Sequence, residues 1–544
     1  MMYGRTSKSK TKAAIADVCR AMMRAVGFIL VPAALAGAGA AMLHRNGTSA
    51  PIAATSPAGA RAADTPLTVE PTVVGMNLGG LEYYAGEWAF NDIVQTSATI
   101  NFIEPNGSWK DPIGRIQFDP TGHPIHIPKT TLLSVMLQSG TVRIQTGSFA
   151  CTIADGWDVY AFGDWKTKGS GKHFTMIVDK PIPTAGITMK LTATKDDATL
   201  SPLSCVQQGV DTSTPFNPVF LAEKRPYKVL RFMDWMQTNN APKRIWAERP
   251  TPASFTQGGP NGVSMEYMVA LANTTQSDPW FNMPFDVDPG YYEKFATYVR
   301  DHLDPKLKAY VEFSNEVWND AFQQGKTATE RGRELYPNVD PAMANDFYYA
   351  DRVRDVMSVW TRVFSGQPKR LVRVLANQTW PERADRALAH KDTWRSVDAL
   401  AVAPYFSTDP YTLPGTGAVR VNALFARAPE IVGNAINQAV AAKKVAHKYN
   451  LPMVAYEAGP GFVGYQKEIG EDMLAANRDP RIYDMYMTYL KRWQKEVGGL
   501  IVLFTSVGTP GPGGQYGHRE YTGQPLSDAP KARAVNDFMA QLKQ

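Results

Sequence analysis

From about residue 220 onward, short apolar runs that end in polar residues alternate with longer stretches of helical period. Val229-Leu230-Arg231-Phe232-Met233-Asp234 reads as a strand. Residues 264–273, with Met265, Met268, Val269 and Ala272 on one face, read as a helix, followed by a short strand near Trp280-Phe281-Asn282. Residues 289–303 and 345–364 carry the helical period, and 309–316 and 371–377 read as strands. Further strands fall at 399–405, 453–457 and 500–506, with helices at 430–449 and 480–497 between them. Such alternation means parallel strands joined by crossover helices. An eighth strand, 72–77, stands far upstream and leads into Gly79-Gly80. The expected fold class is α/β, a (β/α)8 barrel.

The stretch between its first two strands has a different pattern. Residues 107–214 contain alternating segments rich in β-branched residues: Thr141-Val142-Arg143-Ile144-Gln145, Phe174-Thr175-Met176-Ile177-Val178 and Ile187-Thr188-Met189-Lys190-Leu191. They read as a β-rich insertion module, which a barrel tolerates because the ring closes whatever the loop length. The barrel is then assigned to 71–106 and 215–535.

Upstream of the barrel the composition shifts. Residues 46–70 are rich in Ala, Pro, Ser and Thr and read as a flexible linker. Residues 1–45 hold a basic head followed by 19 uncharged residues, 25–43. That pattern is an export signal, and at about 1.5 Å per residue it equally suits an uncleaved membrane anchor. Either way the body is exported, to the periplasm, to the extracellular space or to a membrane tether. Any membrane contact is expected through this segment alone.

Charge narrows the partners. The chain is 544 residues long with a net charge of +6. Eight basic residues (Arg5, Lys8, Lys10, Lys12, Arg20, Arg24, Arg45, Arg61) against Asp17 and Asp64 account for all of it. The remainder carries 49 basic and 49 acidic residues, so a nucleic-acid partner is not expected. Of the cysteines, Cys19 precedes the apolar stretch. Cys151 and Cys205 both fall in the insert and are either a disulfide or two core thiols. No His/Cys/Asp cluster argues for a metal, and no cofactor is expected.

The chemistry concentrates at two strand ends. Tyr310-Val311-Glu312-Phe313-Ser314-Asn315-Glu316-Val317-Trp318-Asn319 runs a strand into Asn-Glu. Met453-Val454-Ala455-Tyr456-Glu457-Ala458-Gly459 places a second carboxylate three strands later. Both lie at the C-terminal face, the active end of such barrels. Two carboxyl groups about 5–5.5 Å apart suffice to cleave a glycosidic bond with retention, one as acid/base and one as nucleophile. Their proximity raises the pKa of one of them. Glu312, four residues deeper than Glu316, reads as a buried, paired structural group.

These residues resemble the clan of retaining (β/α)8 glycoside hydrolases that includes cellulases, mannanases and β-galactosidases, and bacterial proteins sometimes labelled cellulose-binding. The resemblance implies Glu316 as acid/base and Glu457 as nucleophile. It further implies that Arg231 steadies the nucleophile, that Tyr405 hydrogen-bonds it, and that Asn315 and Asn77 complete the site. Strand eight of the clan usually ends in Trp. Here Val502-Leu503-Phe504-Thr505-Ser506 has none, and Tyr516 from the following loop is the expected substitute. Trp235, Trp280 and Trp318 follow strand ends and are candidates to line a sugar groove, as are Trp246 and Trp380. His447 and His518 read as incidental. The expected activity is hydrolysis of an extracytoplasmic polysaccharide or oligosaccharide. A carbohydrate-binding or polysaccharide-assembly protein on the same barrel and a transglycosylase are the alternatives.

Overall fold

The computed structural model describes residues 67–140, 143, 146–181, 185–511 and 515–544. Eight parallel strands close a barrel in chain order: β1 (Glu70–Asn77), β2 (Val229–Arg231), β3 (Asp278–Met283), β4 (Ala309–Phe313), β5 (Leu371–Ala376), β6 (Ala399–Val402), β7 (Met453–Ala455) and β8 (Gly498–Leu503). All eight strands read from the sequence are present. β1 pairs with β2 through Asn77 opposite Arg231 and with β8 through Gly75 opposite Val502, so the ring closes on β1. Gly75 points into that ring: a Cβ there would sit 2.9 Å from the Val229 carbonyl oxygen and 3.0 Å from Val502. Only glycine lets β1 approach its neighbours so closely.

Inward-facing side chains fill the ring rather than leaving a pore. Val229, Trp280, Val374, Ala376, Ala399, Ala401, Val454 and Val502 form one buried cluster inside it. A larger cluster lies between the strands and the outer helices. The helices start where capping side chains allow. Ser264 accepts from the Tyr267 N–H at the head of Met265–Thr275, and Asn217 accepts from Val219 ahead of Pro218–Lys224. The helix ending at Arg492 continues as a π turn, Trp493–Val497, straight into β8.

Between β1 and β2 in the chain lie three antiparallel sheets, of five, four and two strands, the two larger ones forming the body of the module. The inner faces of the five- and four-stranded sheets share a hydrophobic cluster separate from the barrel's. Thr99–Ile103 pairs with Leu132–Gln138 in the five-stranded sheet, so the module begins before residue 107. Thr99-Ile100-Asn101-Phe102-Ile103 carries the same alternating pattern as the rest of that sheet. In the four-stranded sheet Cys205 stands opposite Cys151, and the two are joined in a disulfide with Cα atoms 4.0 Å apart. Backbone and side-chain hydrogen bonds tie the module to the barrel, among them Phe255 N–H to the Thr121 carbonyl at 2.8 Å and Gln138 Nε2 to the Ala85 carbonyl at 2.8 Å. Asp92 accepts from the Cys205 N–H at 2.9 Å, and Gln95 donates to the Ser254 carbonyl at 2.9 Å.

Among the described residues no helix is long and apolar enough to cross a membrane. The 1–45 segment, the linker as far as residue 66, and Thr141, Val142, Ile144 and Gln145 lie outside the described residues.

Candidate active site

The C-terminal ends of β1, β2, β4 and β7 converge on one guanidinium. Arg231, the last residue of β2, is fully buried. Its Nη1 donates to Glu457 Oε1 at 2.8 Å and to Asn77 Oδ1 at 3.0 Å. Its Nη2 donates to Asn315 Oδ1 at 2.8 Å and to Glu312 Oε2 at 2.9 Å. Arg231, Asn77, Asn315 and Glu457, singled out from the sequence, are thus in direct contact. A buried cation requires such anionic and polar partners.

Glu457 receives a second donor. The β6 chain breaks at Ala403-Pro404 and resumes as Tyr405–Phe406, paired in parallel with Gly459–Pro460 beyond the end of β7. That extension brings the Tyr405 hydroxyl to 2.9 Å from Glu457 Oε2. Burial pushes the Glu457 carboxyl above its ordinary value, and the charge of Arg231 and the Tyr405 hydrogen bond offset part of that rise.

Glu316 sits differently. Its two donors are neutral: the Tyr456 hydroxyl reaches Oε1 at 3.1 Å, and Asn319 Nδ2 reaches Oε2 at 2.9 Å. Burial first, and the charge of Glu457 second, raise its carboxyl to about 7. The backbone that carries it is strained. Ser314 and Glu316 both have positive φ, 58° and 42°, a region that β-carbon-bearing residues seldom adopt. Gln324 braces this turn by donating to the Asn315 carbonyl at 2.9 Å.

The remaining candidates divide. Trp318 packs edge-on against Tyr456, with ring centroids 6.3 Å apart, and so walls the Glu316 side. Tyr516 lies 5.5 Å from the Tyr405 ring and 5.4 Å from Phe504. It is thus beside the nucleophile candidate, with a partly exposed Phe504 just past the end of β8 where the resemblance led one to look for Trp. Two indoles are not groove residues. Trp280 is fully buried below the carboxylates and donates to Glu312 Oε2 at 2.8 Å. Trp235 is buried outside the ring, stacked on Phe220 at 6.0 Å and close to Phe232 at 5.6 Å. Trp235, four residues past Arg231, turns outward, so position past a strand end did not mean position in the mouth. Trp380 is exposed, and Trp246 is covered by Arg249 and Lys294.

Three residues of the site carried no sequence signal of their own. Tyr456 is the residue before Glu457, and strand alternation turns it into the ring while Glu457 caps the strand. Asn319 belongs to the Trp-Asn pair but has a role only through the turn geometry. Asp234, three residues past Arg231 and partly open to solvent, is raised to about 8 by burial and then by the charges of Glu82 and Glu457. His518 is held neutral by burial, at about 3, between the Tyr486 hydroxyl and the Thr505 carbonyl. A cavity of about 210 Å³ lies away from the carboxylates, lined among others by Met236, Arg244, Val263, Met268 and Tyr291. No cluster of three or more His, Cys, Asp or Glu suited to a metal ion occurs among the described residues.

No protein-family model and no curated sequence matches the chain. Among solved structures it is similar to the α-L-arabinofuranosidase from Thermotoga maritima, at 14% identity over 62% of this chain and 66% of that one, with a TM-score of 0.35. It is similar to a β-glucosidase from the same organism, at 9% identity over 58% and 85%, TM-score 0.34. A third is the endo-β-1,4-mannanase from Thermotoga petrophila, at 12% identity over 60% and 72%, TM-score 0.33. The chain spans just under two thirds of the length of that arabinofuranosidase.

Proposed function

We propose that this protein is a retaining glycoside hydrolase in which Glu457 is the nucleophile and Glu316 the acid/base. The observation that carries the reading is the unequal treatment of two buried carboxyls at one barrel mouth. Glu457 is held by a cation and a phenol, Arg231 and Tyr405, which favour its anion. Glu316 has neutral donors only and keeps its proton up to about 7. Environments that split two carboxyls in this way set an acid beside a base.

Glu457 then attacks the anomeric carbon while Glu316 passes its proton to the departing oxygen. In the second step Glu316 takes a proton from water, which displaces Glu457 and releases the sugar with its original anomeric configuration. The ring wall of Tyr405, Phe504 and Tyr516 supplies an apolar face beside the nucleophile for the sugar to pack on. The Cys151–Cys205 disulfide supports action in an oxidising, extracytoplasmic compartment.

The test is a panel of polysaccharides and aryl glycosides incubated with the purified protein, with the first-formed anomer read by NMR. Retention is expected, together with a loss of kcat/KM as pH rises through about 7, where Glu316 gives up its proton. Inversion would exclude Glu457 as nucleophile. Tight glycan binding without cleavage across the panel would favour the binding-protein reading, and sugar rather than water as acceptor would make the enzyme a transglycosylase.

A further inference from the structure

Arg231 serves two carboxylates, which take different parts of its guanidinium. Glu312 presents both oxygens to the guanidinium: Oε2 at 2.9 Å and Oε1 at 3.1 Å from Nη2, and Oε2 at 3.1 Å from Nε. Trp280 adds a donor to Oε2 at 2.8 Å, and the Trp280 ring stacks on Tyr310 at 5.3 Å. Glu312 and Arg231 are both closed to solvent. Neutral side chains, Asn77 and Asn315, accept one hydrogen bond each from Nη1 and Nη2, while Nε donates to Glu312. A second buried carboxylate is costly to desolvate, and one ion pair to Glu457 would neutralise the arginine.

Its position has two consequences. Glu312 engages Nε and Nη2, so Nη1 is the corner of the guanidinium left to reach Glu457. It also supplies a negative charge that offsets the arginine's. The ring interior then holds Glu312, Arg231 and Glu457 with a net charge of about −1 rather than zero when all are ionised.

We infer that Glu312 is a positioning residue that both aims Arg231 at Glu457 and offsets its charge, so that Glu457 stays a strong nucleophile and Glu316 stays protonated. This rests on the glycosidase reading for its use in turnover, but not for the charge coupling itself. The ionisable groups around Glu457 are Arg231 and Asp234 from the β2 end, Glu312 and Glu316 from β4, Tyr405 beyond β6, its neighbour Tyr456 and Tyr516 from the loop after β8. Around Glu312 they are Arg231, Glu457, Tyr349 and Tyr456. Among these Arg231 is the cation, which is why a change at Glu312 is felt at both mouth carboxyls.

The test is carboxyl titration by carbon NMR of the full protein labelled at the glutamate side-chain carboxyl. Signals are assigned with Glu316→Gln and Glu457→Gln. In Glu312→Gln, which keeps the shape and an acceptor for Trp280, the titrations of Glu316 and Glu457 should both move to lower pH, by about one unit. On any glycoside the protein cleaves, kcat should fall about tenfold with KM within about twofold, and the alkaline limb should move down with Glu316. Glu312→Asp keeps the charge but shortens the reach. It should leave the titrations near wild type while kcat still falls, and it stands in if the Gln variant does not fold. Unmoved titrations in a folded Gln variant, or equal shifts in Trp280→Phe, would overturn the proposal by reducing Glu312 to packing. Shifted titrations in a protein that cleaves no glycan would leave the charge coupling standing and remove the glycosidase reading.

Discussion

At the scale of single residues, Tyr405 is the cleanest handle on Glu457 because it touches no other member of the arginine cluster. Tyr405→Phe removes one hydrogen bond to an anion, of the kind worth about 1.5–3 kcal/mol. Turnover should fall about 10- to 100-fold. Because that bond pulls the Glu457 pKa down, its loss should move the acid limb of the pH profile to higher pH, and a limb shifted the other way would disprove the contact. Glu316→Ala should spare aryl glycosides with good leaving groups and cripple poor ones, since only the latter need its proton. Azide should restore turnover of the activated substrate in that variant, with the configuration retained. Equal losses on both leaving groups would show that Glu316 does not act on the leaving oxygen. Glu316 and Glu457 were legible in the sequence because each closely follows a strand whose apolar run is plain, and Arg231 and Tyr405 were singled out through the family resemblance. Trp235 and Trp280 were not, because an indole in a core and an indole in a groove have the same one-letter code and the same neighbours in the chain. Phe504 was legible only as a missing Trp.

At the scale of elements, the barrel strands could be read because they are largely buried and mostly apolar, whereas several helices were hidden by small residues. Gln323–Leu335 buries Gln324, Gly325, Ala328 and Gly332, a face with no large side chain to reveal its period. Its glycines permit backbone contact: a Cβ on Gly332 would lie 2.5 Å from the Ala344 carbonyl oxygen and one on Gly325 2.2 Å from that of Asn319. Gly→Ala usually stabilises a helix by about 0.5–1 kcal/mol, but here the clash should win. Gly332→Ala is expected to cost about 1–3 kcal/mol in urea unfolding, as overpacking does. A gain in stability would mean that the two helices do not approach so closely. Helices Pro381–Ala389 and Lys467–Arg478 bury mostly Ala and other small or polar side chains and escaped the pattern for the same reason. The insert's first strand was missed because nothing in its composition marks where the chain leaves the barrel. The disulfide within the insert spans 54 residues, and breaking it with Cys205→Ser should cost the module about 2–4 kcal/mol. Calorimetry should show that loss in a transition of the insert, with glycoside cleavage at the barrel unchanged below it.

At the scale of the whole molecule, the barrel concentrates buried charge at one end, and this leaves a trace in stability as well as in activity. Asp234 makes the trace readable, because the catalytic scheme gives it no role and its carboxyl has no hydrogen-bond partner among the described residues. Its carboxyl is raised to about 8 by burial first, then by the charges of Glu82 and Glu457. A folded-state pKa above the unfolded one means that the folded protein binds more protons in the interval between them. Asp234 therefore withdraws stability as pH rises from the ordinary Asp range, near 3.9, through about 8. Lys531 acts in the opposite sense. Burial lowers it to about 7, so it adds stability as pH rises from there toward the ordinary lysine range. The two overlap between about 7 and 8, and a plain pH–stability curve would blur them. Asp234→Asn separates them, because the amide mimics the protonated acid at every pH. The variant and the wild type should melt together at about pH 3.5, where Asp234 is protonated in both states. The variant should then gain on the wild type as pH rises, with the difference in Tm levelling off above about pH 9. A constant difference at all pH values would mean that the substitution acts through packing, and no difference at all would place Asp234 in water rather than in the desolvated mouth of the barrel.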